Sequence, residues 1–187
     1  MNEDLRPVFE QILPAIEQAG ISYWVYGGIG AAACYGDFFR DEGNRDVDIF
    51  LIDDDFEGAK LILNKLCQKN GYKLKCYDQK RPKIEIKIDN QERFSMIPVY
   101  KDGNSVLFKY DDGDQKYSNK ILEKSERNIS GFRFFTPSDE FIKQLFISHI
   151  KVRLDKIKRG KIIEDARHIF LEQEFLKYFP NEHYEKT

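Results

Sequence analysis

Several features that would point to a particular class of protein are missing from this sequence of 187 residues. No apolar run approaches the roughly 20 residues that a membrane-spanning helix needs, so we expect no membrane association. The formal net charge is −2, without the basic surplus that usually marks a protein of duplex DNA, so we expect no duplex DNA partner. The sequence also lacks internal repeats and low-complexity segments, which excludes a repeat architecture.

Cysteine is scarce as well. Cys34, Cys67 and Cys76 are odd in number and lack the spacing of metal ligands. Cys34 and Cys67 fall in apolar helical runs, which predicts buried free thiols. The first ten residues are acidic rather than basic and then apolar, so they do not resemble a signal peptide. We therefore expect a reduced, cytoplasmic protein.

The amino-acid composition is typical of a globular domain. Hydrophobic residues make up 41% and aromatic residues 14% of the chain, which excludes a disordered protein, and 33% charged residues indicate a soluble one. A chain of this length forms one domain with at most a small helical appendage. We place a boundary near residue 130, between a core over residues 1–130 and a C-terminal helical region over residues 131–187.

Hydrophobic periodicity predicts alternating helices and strands. Helical spacing covers residues 5–18, 29–35 and 56–70, and short aromatic or β-branched runs at 21–26 and 46–52 predict buried strands. This order indicates an α/β fold with a mixed sheet. Two further strands, at 83–88 and 93–99, join at a polar turn over 89–91; another hairpin follows around 102–104 and 111–113, and helices begin at residue 138.

The most informative motif combines a Gly-Gly pair with two aspartates. Gly27 and Gly28 follow the first predicted strand, and Asp46 and Asp48 begin the second. Residues two apart on a strand point to the same face, so the two carboxylates repel unless a cation binds between them, and Mg²⁺ prefers such oxygen ligands. A glycine turn lets the backbone approach a phosphate closely, at the start of a helix that favours anions. The motif therefore predicts a metal and phosphate site.

Residues 23–30 and 45–49, which carry this motif, resemble the polymerase-β-type nucleotidyltransferase superfamily. Within it the sequence is most similar to the lincosamide and aminoglycoside-2″ nucleotidyltransferases. The resemblance implies a nucleotidyltransferase fold with a C-terminal helical tail. It also implies an enzyme that transfers a nucleoside monophosphate, usually AMP from ATP, to an acceptor hydroxyl, with the two aspartates as catalytic ligands of Mg²⁺.

Two basic residues are candidates for nucleotide binding. Lys143 matches the C-terminal pattern in which basic residues of similar enzymes approach the nucleotide. Arg45 either neutralises triphosphate charge or forms a salt bridge with Asp37 or Asp41, and the sequence leaves this open. Resistance enzymes of this kind often build the acceptor pocket across a homodimer, and the sequence also leaves the oligomeric state open.

One position departs from the pattern of the family. Where the family has a third carboxylate that serves as ligand or base, this sequence has Ser95. Serine is a poor base and a poor Mg²⁺ ligand at neutral pH. The departure predicts either a substitute carboxylate or weak turnover.

Glu85 is the candidate substitute. A symmetric pairing across turn 89–91 brings the apolar side chains to one face. The predicted pairs are Ile84 with Met96, Glu85 with Ser95, Ile86 with Phe94 and Lys87 with Arg93. In that register Glu85 lies about 5 Å from Ser95 and reaches the vacated space as a third catalytic carboxylate. Alternatively, Glu85 pairs with a neighbouring lysine or arginine on an exposed face, and the sequence leaves both arrangements open.

Three functions remain in competition. The first is Mg²⁺-dependent transfer of AMP from ATP to a hydroxyl of a small molecule, such as an antibiotic or a sugar. The second keeps the chemistry but has a protein or a tRNA end as acceptor, as in nucleotidyltransferase toxins. The third is a nucleotide-binding protein with little or no turnover, which Ser95 favours.

Overall fold

The structure is a computed structural model that describes residues 3–35, 46–77, 81–110, 113–153, 163, 166, 167 and 169–181. Its helices include α1 (Leu13–Gln18), α2 (Gly27–Tyr35), α3 (Asp53–Asn70), α4 (Asp139–Arg153) and α5 (Glu172–Tyr178). A π-helical turn, Val8–Ile12, leads into α1, and 3-10 segments lie at Glu3–Leu5 and Asn119–Leu122. The strands are β1 (Tyr23–Tyr26), β2 (Val47–Ile52), β3 (Lys73–Cys76), β4 (Ile84–Ile88), β5 (Gln91–Asp102), β6 (Ser105–Tyr110), β7 (Gly113–Ser118), β8 (Ser125–Ile129) and β9 (Phe132–Thr136).

Seven strands form one sheet. The sheet is mixed, as the sequence predicts. The order is β1-β2-β5-β4-β3, and β6 and β7 extend the sheet from the far end of β5. β2 and β5 run parallel, and the other pairs are antiparallel. A parallel pair needs a crossover, and the chain from α3 to β4 supplies it. The two central strands therefore begin at the same edge of the sheet.

The two faces of the sheet have different surroundings. The face of Val25, Ile49 and Met96 is fully buried and belongs to one cluster with the residues of α1 and α3. The opposite face is apolar only at one end, where Trp24 stacks on Phe50 with ring centroids 5.3 Å apart. Asp48 shares this second face with Phe50, because residues two apart on a strand point the same way. The polar half of this face carries the candidate site.

Helix α3 has residues at both ends that favour its start and its end. Three aspartates, Asp53 to Asp55, occupy its first turn, where the helix dipole favours negative charge. It ends at Gly71, whose φ of 73° is the left-handed conformation that glycine adopts without strain. The buried stripe lies at helical spacing and packs beneath the sheet; it consists of Phe56, Ala59, Leu63 and Cys67.

A β-bulge corrects the predicted register at one end of the β4–β5 hairpin. The pairs from Ile84 to Ile86 are as predicted, but the register shifts between Ile86 and Lys87. Lys87 therefore lies opposite Glu92, and the prediction of Arg93 is wrong. The predicted pair would have set two cations against each other. The guanidinium of Arg93 instead lies 2.7 Å from a carboxylate oxygen of Asp4.

Two other parts of the sheet region were not predicted. Strand β3 pairs with β4 at the edge of the main sheet, and β8 and β9 form a separate hairpin. The tip of that hairpin contains residue 130, near which the sequence predicts a domain boundary. Phe134 of β9 packs against Phe9, with ring centroids 5.4 Å apart, so this hairpin contacts the first cluster. The boundary itself stays a prediction.

The structure also shows the state of the cysteines and the character of the helices. All three cysteines are free thiols; Cys67 is buried, Cys34 is half-buried and Cys76 is exposed. Among the described residues, no helix combines the length and the apolar character that crossing a membrane requires.

Candidate active site

The predicted Gly-Gly motif is the point where β1 ends and α2 begins. Tyr26, the last residue of β1, lies opposite Asp48 of β2. Gly27 follows with φ +63°, and a Cβ built there would lie 2.7 Å from Oδ2 of Asp48. A side chain at this position would overlap the carboxylate, so glycine is required both for the backbone conformation and for the close approach. The structure therefore brings the glycine turn and Asp48 into contact.

The two aspartates lie at the start of β2. Asp46 immediately precedes the strand and Asp48 is its second residue, and both are half-buried. Burial raises the pKa of Asp48 to about 6, and the negative charge of Asp46 adds to this effect. The hydrogen bond from Ser95 opposes it. A bound cation would stabilise the charged form of a half-buried carboxylate that lies beside a second carboxylate.

Ser95 occupies the position between the site strands. It lies beside Asp48 on one side and opposite Glu85 on the other, and is 2% exposed. Its hydroxyl donates a hydrogen bond to Oδ1 of Asp48. The serine therefore fixes the orientation of one carboxylate rather than adding another.

Glu85 is on the same face as Ser95 and Asp48, but its carboxylate is already occupied. Its side chain is 8% exposed, Nζ of Lys83 lies 2.6 Å from Oε1, and the hydroxyl of Tyr77 donates to Oε2. Burial alone would raise the pKa of Glu85, but these hydrogen bonds hold it below its usual value. Glu85 is thus an ionised, paired carboxylate next to the site, and its catalytic role stays a prediction.

The sequence reasoning missed a second contact of Lys83. Its Nζ also lies 3.5 Å from Oε1 of Glu92, the residue that the β-bulge sets opposite Lys87. Lys83 immediately precedes β4 and Glu85 lies two residues further on, so an extended backbone would place both on one face, and this could have been read from the sequence. The position of Glu92 depends on the bulge, which the sequence pattern did not indicate.

The two predicted nucleotide-binding cations are not tested by the structure. Both carboxylate oxygens of Glu174 in α5 lie within 2.7 Å of Nζ of Lys143, so this lysine links α4 to α5. Its predicted role in binding the nucleotide stays a prediction. Arg45 lies outside the described residues.

The donor set near the glycine turn fits a magnesium ion. Two carboxylates at the start of β2 provide hard oxygen ligands, and Mg²⁺ usually takes one or two of these and completes its shell with water and phosphate. Within the described part of the chain, no group of three or more carboxylate, imidazole or thiol side chains is arranged to hold a metal ion. The two aspartates would therefore be the protein ligands of such an ion.

The chain has the nucleotidyltransferase fold. The structure of a lincosamide antibiotic adenylyltransferase, LnuA, with bound lincomycin matches with a TM-score of 0.58 and 21% identity, over 89% of this chain and 96% of that one. The solution structure of the antibiotic-resistance factor ANT(2″)-Ia matches with a TM-score of 0.61 and 16% identity, over 95% and 89%. A crystal structure of ANT(2″)-Ia in complex with adenylyl-2″-tobramycin matches with a TM-score of 0.57 and 15% identity, over 91% of this chain and 92% of that one. No protein-family model matches the sequence, and no curated protein matches it significantly.

Proposed function

We propose that this protein is a nucleotidyltransferase that transfers AMP from ATP to a hydroxyl group of a small molecule. The observation that carries the proposal is the close approach of the glycine turn to Asp48. A Cβ at Gly27 would lie 2.7 Å from Asp48, so backbone and carboxylate lie close enough to share one ligand. A nucleoside triphosphate with its metal ion is a ligand that needs both.

In the proposed reaction the acceptor oxygen attacks the α-phosphorus of ATP. A new phosphorus–oxygen bond forms, the bond to the β-phosphate bridging oxygen breaks, pyrophosphate leaves, and the hydroxyl proton passes to solvent. Asp46 and Asp48 would hold the Mg²⁺ ion, whose positive charge stabilises the reacting phosphate oxygens. The backbone at Gly27 and Gly28 would orient the triphosphate at the start of α2, and Ser95 would keep Asp48 in position. Positioning and charge neutralisation account for most of the catalysis of such transfers.

In this proposal Glu85 does not act as a general base. A general base must accept a proton from the acceptor directly or through one water. The Glu85 carboxylate already accepts hydrogen bonds from Lys83 and Tyr77. We assign it to positioning Lys83 beside the site.

The proposed acceptor class rests on the similar structures. Lincomycin and the tobramycin adduct are the small molecules bound to two of them, and both matches cover most of this chain. A hydroxylated antibiotic or sugar is therefore the first class of acceptor to test. The proposal includes an acceptor pocket shared across a homodimer.

ATP radiolabelled at the α-phosphate should be incubated with the protein, Mg²⁺ and panels of antibiotics, sugars, tRNA and proteins. We expect label on a small hydroxylated molecule and release of pyrophosphate, both lost in Asp46→Asn. Label on tRNA or protein would instead support an acceptor of the toxin type. Tight nucleotide binding without pyrophosphate release on any acceptor would contradict transfer.

The last outcome corresponds to a second candidate function, nucleotide binding without transfer. Ser95 favours it, since the hydroxyl is engaged with Asp48 and supplies no third carboxylate. Measuring nucleotide affinity and pyrophosphate release on the same preparation separates the two functions.

A further inference from the structure

Three lysines, which we call the lysine strip, lie on the outer strands of the main sheet. The strip consists of Lys73 and Lys75 of β3 and Lys87 of β4, and Lys73 and Lys87 are paired in the register. The neighbouring pair, Leu74 and Ile86, belongs to the first buried cluster. Because side chains alternate along a strand, the three lysines lie on the opposite face of the sheet.

That opposite face is also the face of the candidate site. Glu85 lies opposite Lys75 of β3 and opposite Ser95 of β5. Ser95 in turn lies beside Asp48 of β2. Neighbouring strands are about 4.8 Å apart, so β4 and β3 lie about 10 Å and about 15 Å across the sheet from Asp48. The long side chains of the lysine strip are therefore within reach of a small molecule bound at Asp48.

The lysine strip has positive charge that its neighbours do not neutralise directly. Nζ of Lys73 lies 2.7 Å from the amide oxygen of Asn90, and Nζ of Lys75 lies 4.1 Å from the ring centroid of Tyr77. Both of these partners are uncharged. In the described part of the chain, none of the three ammonium groups lies within ion-pair distance of a carboxylate. Lys73 and Lys75 are exposed, and Lys87 is half-buried.

Lys83, on the same face, adds no spare charge. Its Nζ lies 2.6 Å from Glu85 and 3.5 Å from Glu92, so these three residues together have a net charge of −1. The three positive charges of the lysine strip exceed this, and the outer part of the face keeps an excess of two positive charges. This excess belongs to the strip and not to Lys83.

The proposed reaction places the acceptor on the side of the lysine strip. In nucleotidyl transfer the attacking and leaving oxygens lie roughly in line, on opposite sides of the phosphorus. The glycine turn, which would orient the leaving pyrophosphate, lies on the β1 side of Asp48. The acceptor therefore approaches from the other side, over Ser95 of β5 and the strands beyond it.

We propose that the acceptor is a small hydroxylated anion, such as a sugar phosphate, whose negative group binds to Lys73, Lys75 and Lys87. This inference rests on the proposed function, because the position of the acceptor follows from a triphosphate bound at the glycine turn. Ammonium groups donate charge-assisted hydrogen bonds to phosphate oxygens. A cationic acceptor, such as an amino sugar, is repelled by the same groups.

RNA has the same phosphate groups, but this surface fits RNA less well. Proteins that bind single strands provide aromatic rings on which the bases stack. Tyr77 is an exposed aromatic residue beside the strip, and it is already engaged: Lys75 lies over its ring, and its hydroxyl donates to Glu85. A small anion needs only the ammonium groups.

The test compares three matched sugars as ligands of the protein that holds Mg²⁺ and α,β-methylene ATP, which cannot undergo transfer. The sugars are glucose, glucose 6-phosphate and glucosamine, and NMR titration measures their affinities. We expect glucose 6-phosphate to bind at least about 10-fold more tightly than glucose. Glucosamine should bind no more tightly than glucose.

Two triple variants decide whether this preference depends on the lysine strip. The strip variant combines Lys73→Gln, Lys75→Gln and Lys87→Gln. It should bind glucose 6-phosphate and glucose with equal affinity. The matched control replaces three exposed lysines of α3 and β5 and combines Lys65→Gln, Lys69→Gln and Lys101→Gln. Because its overall change of charge is the same, it should keep the wild-type preference only if the position of the lysines matters.

The outcomes separate this inference from the proposed function. Equal affinity for the three sugars, no detectable binding of any, tighter binding of glucosamine, or a preference retained in the strip variant would overturn the inference and leave the proposed function standing. A short single-stranded RNA that binds more tightly than glucose 6-phosphate, and only with the strip intact, would assign the strip to nucleic acid and overturn the small acceptor.

Nucleotide binding is measured first on the wild type. If α,β-methylene ATP does not bind in the presence of Mg²⁺, the proposed function is contradicted, and this inference with it. If the strip variant does not fold by circular dichroism, the comparison of the three sugars on the wild type still decides the charge of the acceptor.

Discussion

Replacing Asp48 by asparagine is expected to abolish Mg²⁺-dependent nucleotide binding while raising the melting temperature of the metal-free protein. The amide keeps the shape of the carboxylate and can still bond to Ser95, but it removes the charge that would bind the metal. Loss of a direct metal ligand should lower transfer at least about 100-fold, which corresponds to roughly 2.7 kcal/mol of transition-state stabilisation.

The rise in stability follows from the pKa of the same group. Burial first, and then the charge of Asp46, raise the pKa of Asp48 from 3.8 to about 6 in the folded protein. The folded state therefore binds this proton more tightly than the unfolded chain does. The free energy of unfolding falls as pH rises through the window from 3.8 to about 6, and the full cost is present at pH 7. Asparagine removes that cost.

Calorimetry at pH 7 without metal, and nucleotide titration with Mg²⁺, measure the two effects. Asp114→Asn is the matched control, because Asp114 is an exposed residue of β7, and neither quantity should change in it. Unchanged nucleotide affinity in Asp48→Asn would show that the site lies elsewhere. A lower melting temperature would mean that the carboxylate stabilises the fold, against the electrostatics described above.

Gly27→Ala is expected to cost both stability and nucleotide binding. The φ of +63° is unfavourable for alanine by about 1–2 kcal/mol. The added Cβ would also lie 2.7 Å from Oδ2 of Asp48, so that carboxylate must move away from its present position. Each kcal/mol lowers the melting temperature by about 2–4 °C in a protein of this size.

Gly103→Ala isolates the backbone effect. Its φ is +57° and nothing lies within 4 Å of the position of its Cβ, so this variant has the conformational cost without the overlap. We expect Gly27→Ala to be the less stable of the two and to bind nucleotide more weakly, with Gly103→Ala unchanged in binding. If the two variants have the same stability and the same nucleotide affinity, the contact with Asp48 contributes to neither.

Much of the sheet could be predicted because apolar alternation determines register. Ile84 and Ile86 must face the same core as Met96 and Phe94, and together with the turn at 89–91 this places Glu85 opposite Ser95. The Gly-Gly and Asp-x-Asp motifs are similarly readable, since few residues other than glycine adopt a positive φ beside a carboxylate. The fold and the approximate place of the candidate site follow from these few constraints.

What could not be predicted depends on local irregularity or on long side chains. The bulge after Ile86 shifts the pairing without any apolar residue that would reveal it. Strand β3 alternates over only four residues, and β8 is largely polar and has no period-two alternation. The contacts of Lys83 depend on how a flexible side chain lies across the sheet, and sequence spacing alone shows only its face.

The central claim is that the glycine turn and the paired aspartates hold a metal-bound nucleotide. Paramagnetic broadening of amide NMR signals by Mn²⁺, with α,β-methylene ATP bound, measures the position of the ion directly. The amides of Gly27, Val47, Asp48 and Ser95 should lose intensity first, before those of α4 and α5. Broadening confined to other parts of the chain, with the amides of Gly27 and Asp48 unaffected, would contradict the claim.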